Sequence, residues 1–252
     1  MAASEYLALQ MVKKGEMFEG AKNGKYASEY LAMLSERCIL PSPRSKVEVG
    51  PGGARHYDLF MNVIWLGYYP YLIKRVVDKM DIRPGQSILD LGSGTGRNDS
   101  FIAQKIGPEG SILGLDISKE MLGLSRKRCR PYPNVSFTEE RIEAPLAYQD
   151  EFDRVFISFV LHGFEDRQKI KIISNAYQAL KPGGVFCIFD YNEFDLGRLW
   201  FPLRQAFVHG ECQLALEFLK LDLKGMLLDQ GFSGLEQELF LKGHLRLLKA
   251  TK

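Results

Sequence analysis

The stretch SILDLGSGTGRNDS, residues 87–100, decides the fold. Its first five residues are an apolar run of the kind that forms a buried strand. That run passes into three alternating glycines, Gly92, Gly94 and Gly96, and polar Asn98, Asp99 and Ser100 then open a helical segment. Glycine has no Cβ and tolerates positive φ, so such a turn lets backbone N–H groups approach a ligand at a helix N-terminus. A second apolar strand, SILGLD (111–116), ends on Asp116, twenty residues past Gly96. From that place a strand-borne carboxylate grips a ribose diol in a nucleotide-type α/β fold.

Outward from this centre, strands and helices alternate. NVSFTE (134–139), DRVFISFVL (153–161) and GVFCIFDY (184–191) read as strands, rich in Val, Ile and Phe. SFIAQKI (100–106), SKEMLGLSRKRC (118–129) and DRQKIKIISNAYQALK (166–181) read as helices, with Ser118 as N-cap and Pro182-Gly183-Gly184 as a stop. LKLDLKGMLLDQGF (219–232) is a further helix ending at Gly231, and LEQELFLK (235–242) and HLRLLKA (244–250) close the chain as paired strands. The alternation predicts an α/β, Rossmann-like, doubly wound, seven-stranded sheet, mostly parallel with an antiparallel last strand. Residues 1–40 look helical, and ASEYLA occurs at 3–8 and again at 27–32, with Ser4 and Ser28 as possible caps. PSPRSKVEVGPGG (41–53) is a breaker-rich linker. The expected organisation is a helical extension and linker acting as a lid over 1–53, then a catalytic domain over 54–252.

Composition narrows the partners. The 252 residues carry 33 basic and 31 acidic side chains, a net charge of +2, so no nucleic acid or other polyanion is expected. The basic run SRKRCR (125–130) falls in the last turn of its helix, where cations complement the dipole. Cys38, Cys129, Cys187 and Cys212 are scattered without a C-x-x-C pair, which argues against a metal site or disulfide scaffold and suits a cytoplasmic protein. The most apolar stretch, VIWLGYYPYLI (63–73), contains Pro70 and is shorter than the ~20 residues of a membrane span. Membrane contact is therefore expected to be peripheral at most.

The glycine spacing separates cofactors. A dinucleotide fingerprint is G-x-G-x-x-G, whereas here the third glycine comes one residue early and Arg97 takes the sixth position. Gly-x-Gly-x-Gly behind Asp90 resembles motif I of the class I S-adenosylmethionine (SAM) dependent methyltransferases. HYDLFMNVIWLG (56–67), SILGLDISKEML (111–122), FISFVLHGF (156–164), LKPGG (180–184) and the terminal strands follow in the order of that family. More narrowly, Tyr57-Asp58, Met61-Asn62, Thr95 and ISF (157–159) resemble the ubiquinone/menaquinone biosynthesis C-methyltransferases.

The resemblance implies a role for each matching position. Gly92, Gly94 and Gly96, with Ser93 between them, would let the backbone pass close to the methionine half of SAM. Asp90 would steer the ammonium of that half, or else organise the turn, and Thr95 would donate its hydroxyl to the cofactor. Asp116 would take both ribose hydroxyls, one per carboxylate oxygen. Ile117 and Met121 would flank the adenine, although Met121 and Leu122 also suit core packing. Tyr57 and Ser158 match cofactor-contacting positions of the quinone enzymes. One segment departs from the family: Arg141 and Ile142 stand where an acid and Ala are usual. Arg has no acceptor for an exocyclic amine, so Glu140 or the backbone of Ile142 would have to hold the adenine.

His162, Tyr191 and His209 are the candidates for a catalytic base, with a structural histidine as the alternative for His162. Trp65, Tyr68, Tyr69, Tyr71, Trp200, Phe201 and Phe207 either wall an apolar acceptor pocket or pack a lid. The expected activity is methyl transfer from SAM to a small, partly apolar acceptor such as a quinol ring carbon. Methylation of an amine or phospholipid headgroup, and a non-catalytic SAM-binding interaction protein, are the alternatives. Aminopropyl transfer lacks its acidic polyamine residues around strand four.

Overall fold

A computed structural model describes residues 67–198 and 201–252, without the side chains of Arg198, Pro202, Leu203, Ala206, His209 and Gly210. The N-terminal extension, its linker, Tyr57, Trp65 and Trp200 lie outside the described residues.

The described chain runs α1 (Tyr69–Lys79), β1 (Ser87–Leu91), α2 (Arg97–Ile106), β2 (Ser111–Asp116), α3 (Lys119–Arg128), β3 (Val135–Glu139), β4 (Phe152–Ser158), α4 (Asp166–Ala179) and β5 (Leu180–Tyr191). It continues with α5 (Phe201–Gly210), α6 (Gln213–Phe218), α7 (Leu223–Asp229), β6 (Ser233–Phe240) and β7 (Leu245–Thr251). One seven-stranded sheet has the order β3-β2-β1-β4-β5-β7-β6. The pairs from β3 to β5 are parallel, and β7 is antiparallel to both β5 and β6. This is the doubly wound sheet expected from the alternation of elements.

Strand side chains alternate between two cores. Leu89, Leu91, Val155, Ile157, Phe186 and Ile188 pack with α4 and α7 residues on one face. Ile88, Phe156, Cys187 and Phe189 pack with α1 and α2 residues on the other. The period of two puts Asp90 on the α2 face and Asp190 on the α4 face. That division sorts the polar groups into two neighbourhoods.

Three local readings change. Tyr69–Lys79 is a helix with Pro70 in its first turn, and Leu72, Ile73, Val76 and Val77 bury one face against the sheet. The apolar run at 63–73 thus ends inside the core of the domain. The helix expected over 166–181 stops at Ala179, because buried Leu180 already pairs with Phe152 of β4. LKPGG is therefore the irregular start of β5, with a register shift opposite Phe152/Arg154, and not a helix stop followed by a strand. The helix expected over 219–232 is shorter and starts later, at Leu223, with residues 219–222 outside any helix. Asp222 caps that start by accepting from Gly225 N at 2.9 Å, and α6 precedes it.

Candidate active site

The strand order reverses between β1 and β4, so their carboxyl ends open the crevice where such sheets hold ligands. The glycine loop leaves β1 there. Gly92 N and Ser93 N both donate to Leu115 O at 2.9 Å, which straps the loop to β2. Its glycines serve different ends. A Cβ on Gly92 would meet Val160 Cγ2 at 2.7 Å, and one on Gly96 would meet Ser125 Cβ at 2.8 Å. A Cβ on Gly94 would meet nothing within 4 Å among the described residues, although φ there is +54°. Gly92 and Gly96 are thus required by the protein's own packing, and Gly94 faces open space. Thr95 is buried and its carbonyl and hydroxyl both accept from Arg128 Nη1, the carbonyl at 2.7 Å. Arg128, read in sequence as a helix-dipole cation, pins the loop.

Beneath the loop lies a group of buried polar atoms without partners. Asp90 and Asp99 are fully buried, and neither carboxyl has a hydrogen-bond partner among the described residues. Ser93 Oγ and Ser158 Oγ are likewise buried and unpartnered. Burial pushes the Asp90 carboxyl well above the usual range, with the nearby Asp99 and Asp116 carboxyls adding to the effect. Buried polar groups are normally satisfied, so such a concentration at a ligand-binding edge marks a place for a polar ligand.

Asp116, at the end of β2, is partly exposed and already engaged. Its Oδ2 accepts from Gly94 N at 2.9 Å and its Oδ1 from Ser118 N at 2.8 Å. Burial raises its pKa, against the lowering effect of these backbone bonds. The Ile117 backbone N–H lies beside the same carboxylate. Each carboxylate oxygen can accept two hydrogen bonds, so acceptor capacity remains for a diol. Ile117 is half-buried and Met121 is buried in α3, whose N-cap Ser118 accepts from Met121 N. Arg141 is exposed and pairs with Glu143 at 2.7 Å. Ile142 sits in the α4-side core, and its carbonyl accepts from Asn175 Nδ2 at 2.8 Å. Glu140 lies beside Asp116, since Glu140 N donates to Asp116 O at 3.1 Å, and its carboxylate accepts from Tyr148 OH at 2.9 Å. Of the two adenine partners left open, Glu140 and the Ile142 backbone, Glu140 is the one tied directly to Asp116.

The second neighbourhood follows β4. Phe159 turns the chain at φ +53°, and a 3-10 turn at Leu161–Gly163 carries His162. His162 Nδ1 lies 2.7 Å from Asp190 Oδ1, and His162 N donates to Asp190 Oδ2 at 3.2 Å. Burial alone would lower the imidazole pKa, but the Asp190 charge and hydrogen bond outweigh it and raise it. The bond fixes Nδ1 as the protonated nitrogen of the neutral ring and leaves Nε2 as the basic one. Tyr191 OH donates to Glu211 Oε1 at 2.7 Å. Burial, with Glu211 beside it, holds that phenol well above its ordinary pKa, so Tyr191 stays a donor rather than a base. His162, Phe159 and Phe207 surround the Tyr191 ring at 5.2, 5.9 and 5.1 Å between centroids. Tyr69 is buried against Phe159 with Arg97 over its ring, whereas Tyr71 and Phe201 are exposed. His209 belongs to α5, but its side chain is outside the described residues.

A model of a methyltransferase domain matches residues 88–184. A Synechocystis protein named as an uncharacterized methyltransferase is 31% identical over 175 residues, 69% of this chain and 79% of the relative. The chain belongs to the class I SAM-dependent methyltransferases. A ubiquinone/menaquinone biosynthesis C-methyltransferase of Yersinia pestis is 29% identical over 149 residues, and the match spans 58% of this methyltransferase and 59% of that enzyme. Among solved structures, a SAM-dependent methyltransferase of Aquifex aeolicus superimposes with TM-score 0.60 at 16% identity, over 81% of this chain and 99% of that one. A Haemonchus contortus phosphoethanolamine N-methyltransferase 2 in complex with SAM gives TM-score 0.56 at 18% identity, over 72% and 52%. These likenesses are of fold.

SAM is the cofactor of the family, and the residues present fit it. The open Cβ side of Gly94, the unpartnered Ser93 and Ser158 hydroxyls, the donorless Asp90 and the spare lone pairs of Asp116 are all at the same sheet edge. Sequence reasoning gave no site role to Asp99, Arg128 or Glu211, and Asp190 entered it only as part of the strand GVFCIFDY (184–191). The one signal for Asp190 was its place at the end of an apolar strand. Among the described residues, no group of three His, Cys, Asp or Glu side chains is placed to hold a metal, and no helix is long and apolar enough to cross a membrane.

Proposed function

We propose that this methyltransferase alkylates a small, ring-bearing acceptor that must lose a proton, with a quinol-type ring carbon as the best match. The observation that carries this reading is the 2.7 Å bond between His162 Nδ1 and Asp190 Oδ1 at the mouth of the crevice. It leaves Nε2 as the basic nitrogen of a ring that packs beside Tyr191 and Phe218, with Phe159 on the Tyr191 ring. An amine needs only a free lone pair, whereas a ring carbon becomes nucleophilic when a neighbouring hydroxyl is deprotonated. A relative named as a ubiquinone/menaquinone biosynthesis C-methyltransferase supports carbon as the methylated atom.

In this reading the glycine loop, with Gly92, Ser93, Gly94, Thr95 and Gly96, cradles the methionine half of SAM. Asp90 faces its ammonium, and Asp116 receives the ribose. Ile117, Met121, Glu140 and the Arg141-Ile142 backbone border the adenine, and Ser158 bonds the cofactor from β4. Bound SAM supplies an activated sulfonium methyl group. The protein aligns the acceptor, excludes water and, through His162, takes up its proton. We propose residues 1–53 as a lid and Tyr57 as a cofactor contact, both of which lie outside the described residues.

A second reading, an amine acceptor, draws on the acidic groups Asp190, Glu193 and Glu211 around these aromatic rings. The deciding experiment incubates the enzyme with methyl-labelled SAM and separate quinol and amine panels, then locates the label by mass analysis. Label on a quinol ring carbon supports the first reading. Label on amines, with inert quinols, overturns it in favour of the second.

A further inference from the structure

Asp90 ends β1 on the face covered by α2, and Asp99 lies in the first turn of that helix. Both carboxyls are fully buried, and no other described residue donates a hydrogen bond to them, although the Asp99 backbone N–H lies beside its own carboxyl. The two groups are within hydrogen-bonding reach of each other. Ionised carboxylates only accept, so the pair can bond only if a proton sits between them. Two bare carboxylates in a dry interior would carry both the desolvation cost and their mutual repulsion. One shared proton removes the repulsion and satisfies two of the four oxygens.

The surroundings keep that proton in place. Asp116 from β2 adds a further negative charge toward Asp90. From α3, Arg128 favours ionisation of Asp99, but its guanidinium is also bonded to Thr95. Cys129 from the same helix adds no charge, because burial pushes its thiol up to about 12. Burial prevails at Asp99 as at Asp90.

We propose that Asp99 is a positioning residue that shares one proton with Asp90, and that this proton is released to solvent when the α-ammonium of SAM binds beside Asp90. One carboxylic O–H bond breaks, the proton passes to buffer, and the pair goes from one negative charge to two against the arriving cation. The inference rests on the reading of Asp90 as the ammonium-facing acid. Asp99 acts through Asp90 by setting its protonation, so the site is closer to neutral before SAM binds and strongly anionic after.

Calorimetric titration of the full chain with SAM at pH 6.5, in phosphate, PIPES and imidazole buffers, counts the protons. At that pH the ligand's own α-amino group, with a pKa of about 7.7–8.0, is already mostly charged, so the proton comes from the protein. The expected result is release of about one proton per SAM bound, read from the dependence of heat on buffer ionisation enthalpy. SAM affinity should rise up to about tenfold per pH unit between 5.5 and 6.5. In Asp99→Asn the amide donates to an ionised Asp90, so proton release and the pH dependence should both disappear. SAM binding with buffer-independent heat in the natural protein would overturn the proposal and leave the cofactor reading standing. Equal proton release from a folded Asp99→Asn would overturn it too. A natural protein that binds no SAM at all would remove both.

Discussion

Gly94 N donates to Asp116 Oδ2 at 2.9 Å, tying the tip of the glycine loop to the end of the neighbouring strand. The two residues are far apart in the chain, and each was assigned a separate ligand-facing task. The bond makes them one unit: the carboxylate that is to receive a ribose also sets the position of the amide that is to pass beside the cofactor. With Ser118 N on the other oxygen, Asp116 has its orientation fixed before any ligand arrives.

Replacing Asp116 with Ala should therefore weaken SAM binding by about 1.5–3 kcal/mol, the range for losing charge-assisted hydrogen bonds. Part of the loss is the loop brace and part the diol. Calorimetry with S-adenosylhomocysteine and with its 2′,3′-dideoxy analogue separates them, since the diol share should vanish with the analogue. Unchanged affinity in a folded variant would refute the assignment.

Gly94→Ala tests the open face of the loop. A methyl there meets no atom of the described residues within 4 Å, so the domain should fold, at a cost of about 1–2 kcal/mol for a non-glycine residue held at positive φ. SAM affinity should nevertheless fall steeply, because the methyl occupies space reserved for the ligand. Gly92→Ala should behave differently and lower stability further, since its Cβ would press on Val160 at 2.7 Å. Thermal melts paired with SAM titrations distinguish the two.

The His162–Asp190 bond predicts a pH profile. A base works unprotonated, so activity should rise with pH through the imidazole pKa, and Asp190 shifts that limb upward. Asp190→Asn should move the limb to lower pH, and His162→Ala should reduce kcat by about 10²–10⁴ with SAM affinity retained. The same shift has a stability sign. A raised folded-state pKa stabilises the fold fully below the unfolded value near 6.5, and this contribution is lost as pH rises through the folded value. Melting curves of Asp190→Asn and the natural protein should therefore differ most at low pH and converge above it.

Arg246 of β7 is buried opposite Asp190, with Nη1 donating to Glu193 Oε1 at 2.7 Å and with Nε and Nη2 unpartnered among the described residues. Breaking one side of such a pair costs more than replacing the buried charge by an apolar side chain. Glu193→Ala should destabilise the protein by about 1–2 kcal/mol, held to the low end by the exposure of Glu193. Arg246→Met should change stability by less than that. Urea unfolding of both variants checks the order, and a reversed order would count against a strained guanidinium.

Much of the architecture was legible in the chain. SILDL and SILGLD are too short and too apolar for surface helices, and each ends at an acid or glycine, so strand and turn were local decisions. The antiparallel end was visible in the alternation of LEQELFLK and HLRLLKA. What misread was context. LKPGG has the composition of a helix stop, yet pairing of Leu180 with Phe152 makes it the first part of β5. The segment 219–232 carries a continuous helical pattern, and a single cap, Asp222 accepting from Gly225 N, delays the start of its helix to Leu223. The helix Tyr69–Lys79 was hidden by its aromatic residues and by Pro70, which is harmless in a first turn.

The sequence by itself determined the strand–glycine–helix turn, the order of elements and the carboxylate at the end of β2. Those features follow from backbone demands and apolar periods that act within a few residues of one another. Only the tertiary structure decided which polar groups meet. His162 finds Asp190 across 28 residues, and Arg128 finds Thr95 across 33, because β4 lies beside β5 and α3 packs next to the loop. Asp90 and Asp99 are close in sequence, yet even their pairing required a strand side chain to point under α2 and both to be sealed from water. Partner choice among buried charges depends on distance and desolvation in three dimensions, and composition or spacing along the chain encodes neither.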